Sequence, residues 1–132
     1  MTEVLMPTVN RGSAKSLHRP DDHLSKGGVE IDVVQLGDLK VKRATYPAGW
    51  RYSERMGAPL CYDTHVGYAV SGRIHVDLSD GSSIEIGPGD AFMIPAGHDA
   101  YTVGDEPFVL IQFDEGDSAA SRFNLPRMAK AA

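Results

Sequence analysis

The chain holds a single cysteine, Cys61, among 132 residues. No internal disulfide framework can form, and a buried inert thiol is the ordinary reading of such a residue. Basic clusters are also missing. Lys and Arg number 13 against 18 Asp and Glu, a formal net charge of -5. Lys40, Lys42 and Arg43 come nearest to a basic patch, but they alternate along a strand-like run and read as a solvated face. Nucleic-acid binders carry a basic patch, so nucleic acid is not an expected partner. No apolar run approaches the ~18 residues that a membrane span needs. The opening MTEVLMPTVN has neither the charged start nor the apolar core of a secretory signal. The expectation is a protein of the cytoplasm with no membrane partner. No amphipathic pattern of helical length is present. The run Gly87-Pro88-Gly89 lacks the Lys and the following helix of a phosphate loop, so no nucleotide is expected. There is no Gly-x-Ser-x-Gly elbow.

Glycine and proline, by contrast, are plentiful, at 14 and 8. They punctuate short strand-like runs at 31–36, 39–46, 50–55, 64–70, 73–78, 83–86, 91–94, 100–103 and 108–113. The Asp80-Gly81 pair between two such runs is a strong hairpin signal. Short strands at this regular spacing predict an antiparallel sandwich or barrel. The length suits one domain with one core. Residues 1–28 read as an N-terminal arm or leading strand, 29–114 as the barrel and 115–132 as a C-terminal tail.

The stretch Gly87-Pro-Gly-Asp-Ala-Phe-Met-Ile-Pro-Ala-Gly-His98 resembles the second motif of the cupin family, with Gly89, Pro95 and Gly97 at matching spacing. Upstream, His65-Val-Gly-Tyr-Ala-Val-Ser-Gly72 resembles the second half of the first cupin motif. In that motif a ligand residue, usually Glu, lies seven residues before a glycine, and His65 lies seven before Gly72. Pro47-Ala-Gly49-Trp resembles that motif's start. The resemblance spans roughly residues 38–114. It implies an all-β double-stranded β-helix, a jelly-roll-like barrel with a small-molecule pocket, and pairing as a homodimer.

The metal motif is degenerate. The resemblance implies three His and one Glu pointing into the barrel. Counting from Gly49 places the first histidine pair at Arg55 and Gly57; counting back from His65 places it at Pro59 and Cys61. The second motif's histidine falls on Ala100. His98 lies two residues earlier, which in a strand is the same face.

His65 and His98 are therefore the sharpest candidates, for proton transfer or as metal ligands. Cys61, Asp63, His65, Gly67 and Ala69 share one face if the segment is extended, and Gly67 is small enough to wall a ligand. Cys61, His65 and His98 together suit a soft or borderline divalent metal such as zinc, iron or copper, with manganese a further option. The alternative is a pocket with two metal-free histidines and a packed thiol. Arg55 argues for that alternative if it faces the pocket, because a permanent cation repels a metal; it would instead hold a carboxylate or enolate. Glu54 is a candidate general base, and Tyr52 a candidate phenolic donor. Tyr68 and Tyr101 read as core or interface, His75 as exposed, and Asp90 as a turn residue bonding local backbone.

Three functions remain open. One is an enzyme of lyase, isomerase or cyclase type that moves protons on a small acidic or carbonyl-bearing molecule; with a redox-active metal, the cupin resemblance also admits a dioxygenase. Another is a non-catalytic binder or sensor of small molecules. The last is a structural dimer with a vestigial pocket.

Overall fold

The computed structural model describes residues 12–115. Nine strands and one short helix follow in the order β1 (Asp22–Lys26), β2 (Val29–Leu36), β3 (Leu39–Tyr46), α1 (Tyr52–Arg55), β4 (His65–Ser71), β5 (Ile74–Leu78), β6 (Ser83–Ile86), β7 (Ala91–Ile94), β8 (His98–Thr102) and β9 (Phe108–Glu115). Glycine explains the tight links. The Gly27-Gly28 pair joins β1 to β2, with Lys26 opposite Val29. Both glycines have positive φ, as a two-residue turn matching the twist of its strands requires.

The strands form two antiparallel sheets. One has six strands in the order β1-β2-β3-β9-β4-β7, the other three in the order β6-β5-β8. Because β4 belongs to the first and β5 to the second, the chain crosses between sheets at Gly72. It crosses again between β6 and β7, where Gly87 N–H donates to the Asp90 carboxylate, then through Pro95-Ala96-Gly97, and a last time between β8 and β9. Alternation along the strands sends one set of side chains inward. Ala69, Val76 and Phe108 are completely buried there, and Ile74, Ile86 and Leu110 nearly so. Trp50 joins this core and donates its indole N–H to the Gly27 carbonyl at 3.0 Å.

The expected strand over 50–55 is replaced at its end by α1, a difference with a tertiary cause. Arg51 is still extended and bridges Tyr101. The Asp99 carboxylate on β8 then accepts from Ser53 N–H at 3.0 Å, Ser53 Oγ at 2.9 Å and the Arg51 guanidinium at 2.9 Å. An acceptor at the start of the turn satisfies a donor that the helix leaves free. That partner lies 46 residues away in sequence, beyond any local pattern.

The end of the expected arm is built into the sheet as β1. Ahead of it, Asp21 N–H donates to the Val33 carbonyl at 2.8 Å, and Arg43 reaches the Leu17 carbonyl at 3.1 Å. Residues 1–11 and 116–132, the rest of the arm and nearly all the tail, lie outside the described residues. Among the described residues no helix is long and apolar enough to cross a membrane.

Gly72 combines two demands. Its φ is +77°, and a Cβ there would lie 2.1 Å from the Pro107 carbonyl oxygen and 2.7 Å from Phe108 Cα. Gly49 has φ +80° and open space around it. Gly49→Ala should therefore cost only the left-handed backbone penalty, about 1–2 kcal/mol. Gly72→Ala should cost about 1–3 kcal/mol more, because backbone must shift to admit the methyl. Urea unfolding of both variants measures the difference.

Candidate metal centre

Between the sheets lies a cavity of about 720 Å³. Its walls are the inward residues of both sheets, with Trp50, Tyr52 and Met56 from the connecting segment. His65 opens β4 and His98 opens β8, so the two approach each other from facing sheets, with ring centroids 5.1 Å apart. Cys61 arrives from the segment between α1 and β4. Its backbone exchanges hydrogen bonds with β8: Cys61 N–H donates to the His98 carbonyl at 2.7 Å, and its own carbonyl accepts from Gly97 at 2.7 Å and His98 at 3.1 Å. The Cys61 Sγ and one nitrogen from each histidine all lie within 4.8 Å of one another.

Each histidine is oriented by its other nitrogen. His98 Nδ1 lies 2.8 Å from the Pro95 carbonyl. A carbonyl can only accept, so Nδ1 carries the proton and Nε2 keeps its lone pair. His65 Nδ1 lies 2.9 Å from Gln112 Oε1. The Gln112 amide is itself oriented, since its Nε2 donates to Asp114 at 2.6 Å, and Asp114 is ion-paired with Lys42. His65 is thus held in the same tautomer, and Cys61 Sγ lies 3.5 Å from its Nε2, positioned for the thiol to donate.

Burial pushes both histidines below the usual imidazole range; Gln112 opposes this at His65, and the Pro95 carbonyl opposes it at His98. Both are neutral near pH 7. Burial also pushes the Cys61 thiol up, against opposing hydrogen bonds that include one from Tyr52. Burial likewise raises the Tyr52 phenol. At Asp114, burial works upward, but Lys42 and Gln112 outweigh it and hold the carboxyl below its ordinary value.

These residues fit a metal ion. Two neutral imidazoles with free Nε2 atoms and one thiol are a transition-metal donor set. Nδ1 bonded to a carbonyl is the usual way a ligating histidine is fixed. Zn–S and Zn–N bonds of ordinary length at a tetrahedral angle separate sulfur and nitrogen by about 3.5 Å, and the Cys61–His65 separation is 3.5 Å. Cys61, His65 and His98 thus lie close enough to hold a metal.

The other sequence candidates are placed differently. Tyr52 lines the cavity beside Cys61. Gly67 is buried on the inward face of β4 but does not line the cavity. The space where its side chain would stand is taken by the Ile111 carbonyl and the Phe92 ring. Glu54 and Arg55 are exposed on α1 and do not line the cavity either. The helical turn sends Tyr52 inward and carries the next residues around to solvent. His75 faces outward, stacked on Tyr101 with centroids 4.9 Å apart and bonded to Asp77 and Glu85. Lys42 is not on a solvated face: it lines the cavity and pairs with Asp114. Gln112 and Asp114 belong to no motif of the sequence. Their signal is the two-residue period Phe108, Leu110, Gln112, Asp114, which runs from apolar to polar along one face of β9.

No protein-family model matches the chain, and no curated protein matches it. Solved structures do. Ectoine synthase from P. lautus superposes with a TM-score of 0.61 at 12% identity, over 86% of this chain and 85% of that one. A Cupin 2 conserved barrel domain protein from Salinispora arenicola gives 0.58 at 15%, over 85% and 98%. KdgF from Halomonas sp. gives 0.54 at 23%, over 82% and 98%. Identities this low speak to architecture alone. With the facing antiparallel sheets and the lined interior between them, they establish that the chain has the cupin fold.

Proposed function

We propose that this protein is a metal-dependent cupin enzyme of lyase, isomerase or cyclase type, acting on a small acidic or carbonyl-bearing molecule in its barrel. The observation that carries this reading is the pair of histidines anchored through Nδ1, which leaves both Nε2 atoms unprotonated beside the Cys61 thiol. Their histidine–thiol chemistry favours zinc, iron or copper over manganese. Three protein ligands leave a coordination position for substrate or water. Such an ion supplies Lewis acidity, polarising a carbonyl or carboxylate oxygen.

The chain's own residues do the rest. The apolar part of the lining lowers the local dielectric and strengthens polar contacts beside it. Tyr52, whose phenol burial raises further, holds its proton beside Cys61 and is placed to donate it to a bound substrate. Gln112 and Asp114 fix His65 and take no part in proton exchange. Arg55 is exposed, so the guanidinium that would oppose a cation in the pocket does not stand there.

Protein purified without chelators should carry about one equivalent of transition metal by elemental analysis. His65→Ala and His98→Ala should each reduce that to below about a tenth while the circular dichroism stays that of wild type. Less than a tenth of an equivalent in the wild type, not restored by added zinc, would sink the reading. Gln112→Leu leaves all three ligands in place but frees the His65 ring. It should weaken metal binding by about 10- to 100-fold.

Metal affinity should also depend on pH. The Cys61 thiol lies above its ordinary 9.0 and both histidines below 6.5. Between pH 7 and 8.5 the free site therefore holds one proton that the metal must displace, so affinity should rise about tenfold per pH unit. Calorimetry in buffers of different ionisation enthalpy should count about one proton released per ion. A flat profile would exclude Cys61 thiolate as a ligand.

A further inference from the structure

The outer face of the six-stranded sheet changes character across its width. Over β2 and β3 it is covered from within the chain. The Leu17 carbonyl accepts from the outward-facing Arg43 guanidinium at 3.1 Å. Val34, opposite the outward Val41, is 2% exposed. Over β9, β4 and β7 the described residues leave the face open.

That open part is apolar. Alternation turns Val66, Tyr68 and Val70 outward on β4, Met93 on β7 and Phe113 on β9. Val66 is opposite Met93, and Tyr68 stands between Ala91 and Ile111. Tyr68, Val70, Met93 and Phe113 are between 41% and 48% exposed. No charged residue interrupts 66–70, 91–93 or 109–113. Arg43, on the flanking β3, is ion-paired with Asp32 at 2.9 Å. The free side of an antiparallel sheet ordinarily carries polar residues, and a contiguous apolar patch in their place is a contact surface.

Shape, charge and area decide what covers it. A sheet face packs on another sheet face, with strands within about 30° of each other. An uncharged face offers nothing by which to select a charged foreign partner, whereas a two-fold copy presents the matching surface automatically. Each chain has a net charge of -5, so two copies repel. On this face they meet without setting like charges in contact. Four strands about 4.8 Å apart, β3 included, with three outward rows about 6.8 Å apart, cover roughly 400 Å². A standard interface takes about 800 Å² from each partner, and weak reversible contacts take less. The face therefore suits a reversible dimer and is too small for an obligate one.

We propose that a second copy of this chain packs on this face about a two-fold axis, sheet against sheet, as a reversible homodimer centred near Tyr68. The contact is independent of whether the barrel holds a metal.

Val66, Met93 and Phe113 also border the cavity, so the test substitutes Tyr68 and Val70, which do not. Sedimentation equilibrium of the full chain from about 5 to about 500 μM should show the mass rising from 14.2 kDa toward twice that value, with a dissociation constant on the order of 10 μM. Tyr68→Glu and Val70→Lys should each weaken the dimer at least about 30-fold, since each change counts twice across the axis. Tyr62, 65% exposed, lies outside the face, and Tyr62→Glu should shift the constant less than about twofold. Raising sodium chloride from about 0.05 to about 0.5 M should leave the dimer as strong or stronger, because salt screens the repulsion of two acidic chains. Hydroxyl-radical footprinting of the unaltered chain needs no variant to fold. Oxidation of Tyr68 and Met93 relative to Tyr62 should fall at least about threefold at the high concentration. A monomer throughout the range overturns the proposal and gives the face to another occupant, residues 116–132 of the chain or a different protein. A dimer with unchanged footprints at Tyr68 and Met93, or one that survives both face substitutions, overturns the assignment to this face. A dimer that salt dissociates overturns its apolar basis.

Discussion

The candidate site depends on one short backbone exchange, the hydrogen bonds that join Cys61 to Gly97 and His98. The segment from Pro47 to Thr64 contains only one helical turn and has little regular structure of its own. Those bonds fix its end against β8 and bring the thiol beside two imidazoles that belong to facing sheets. Without them the thiol would hang on a connecting loop, since nothing else in the Cys61 backbone pairs with a strand. A buried polar backbone needs partners, and here the partners it finds also set the spacing of the side chains.

Burial is the second constraint, and it acts on all three groups in one direction. It favours the neutral form of each, so the metal-free site is a thiol donating to an imidazole, uncharged in a mostly apolar cavity. Such an arrangement costs little to bury. It is also poised, because one proton stands where an ion could stand. The line from His65 through Gln112 and Asp114 to Lys42 carries that order outward to the half-buried charges of β3 and β9.

The barrel was legible because glycine and proline report turn geometry locally. Ser83–Ile86 and Ala91–Ile94 are found at the bounds their flanking turns imply, and Asp80-Gly81 does close a hairpin, with Gly81 N–H donating to the Leu78 carbonyl. Alternation in β8 likewise carries His98 and Ala100 to one buried face. What the sequence hid was set across the fold. The turn at Tyr52–Arg55 answers to Asp99, and Lys42 answers to Asp114. At the turn a distant carboxylate overrides the strand pattern, whereas Lys42 follows alternation inward with Ala44 and Tyr46, and Asp114 matches its charge there. Gly67 illustrates a different limit: smallness can mean room for a ligand or room for a neighbouring strand, and only the position of the Ile111 carbonyl decides.

The three donor atoms come from three pieces of chain: the connecting segment, the six-stranded sheet and the three-stranded sheet. An ion shared among them would act mechanically as a rivet, since parting the sheets or lifting the connecting segment would require breaking a coordinate bond. Metal occupancy would then govern how often the barrel breathes, and with it how readily a protease finds the stretch around Pro59. The same trio would couple the lifetime of the fold to the metal supply of its surroundings.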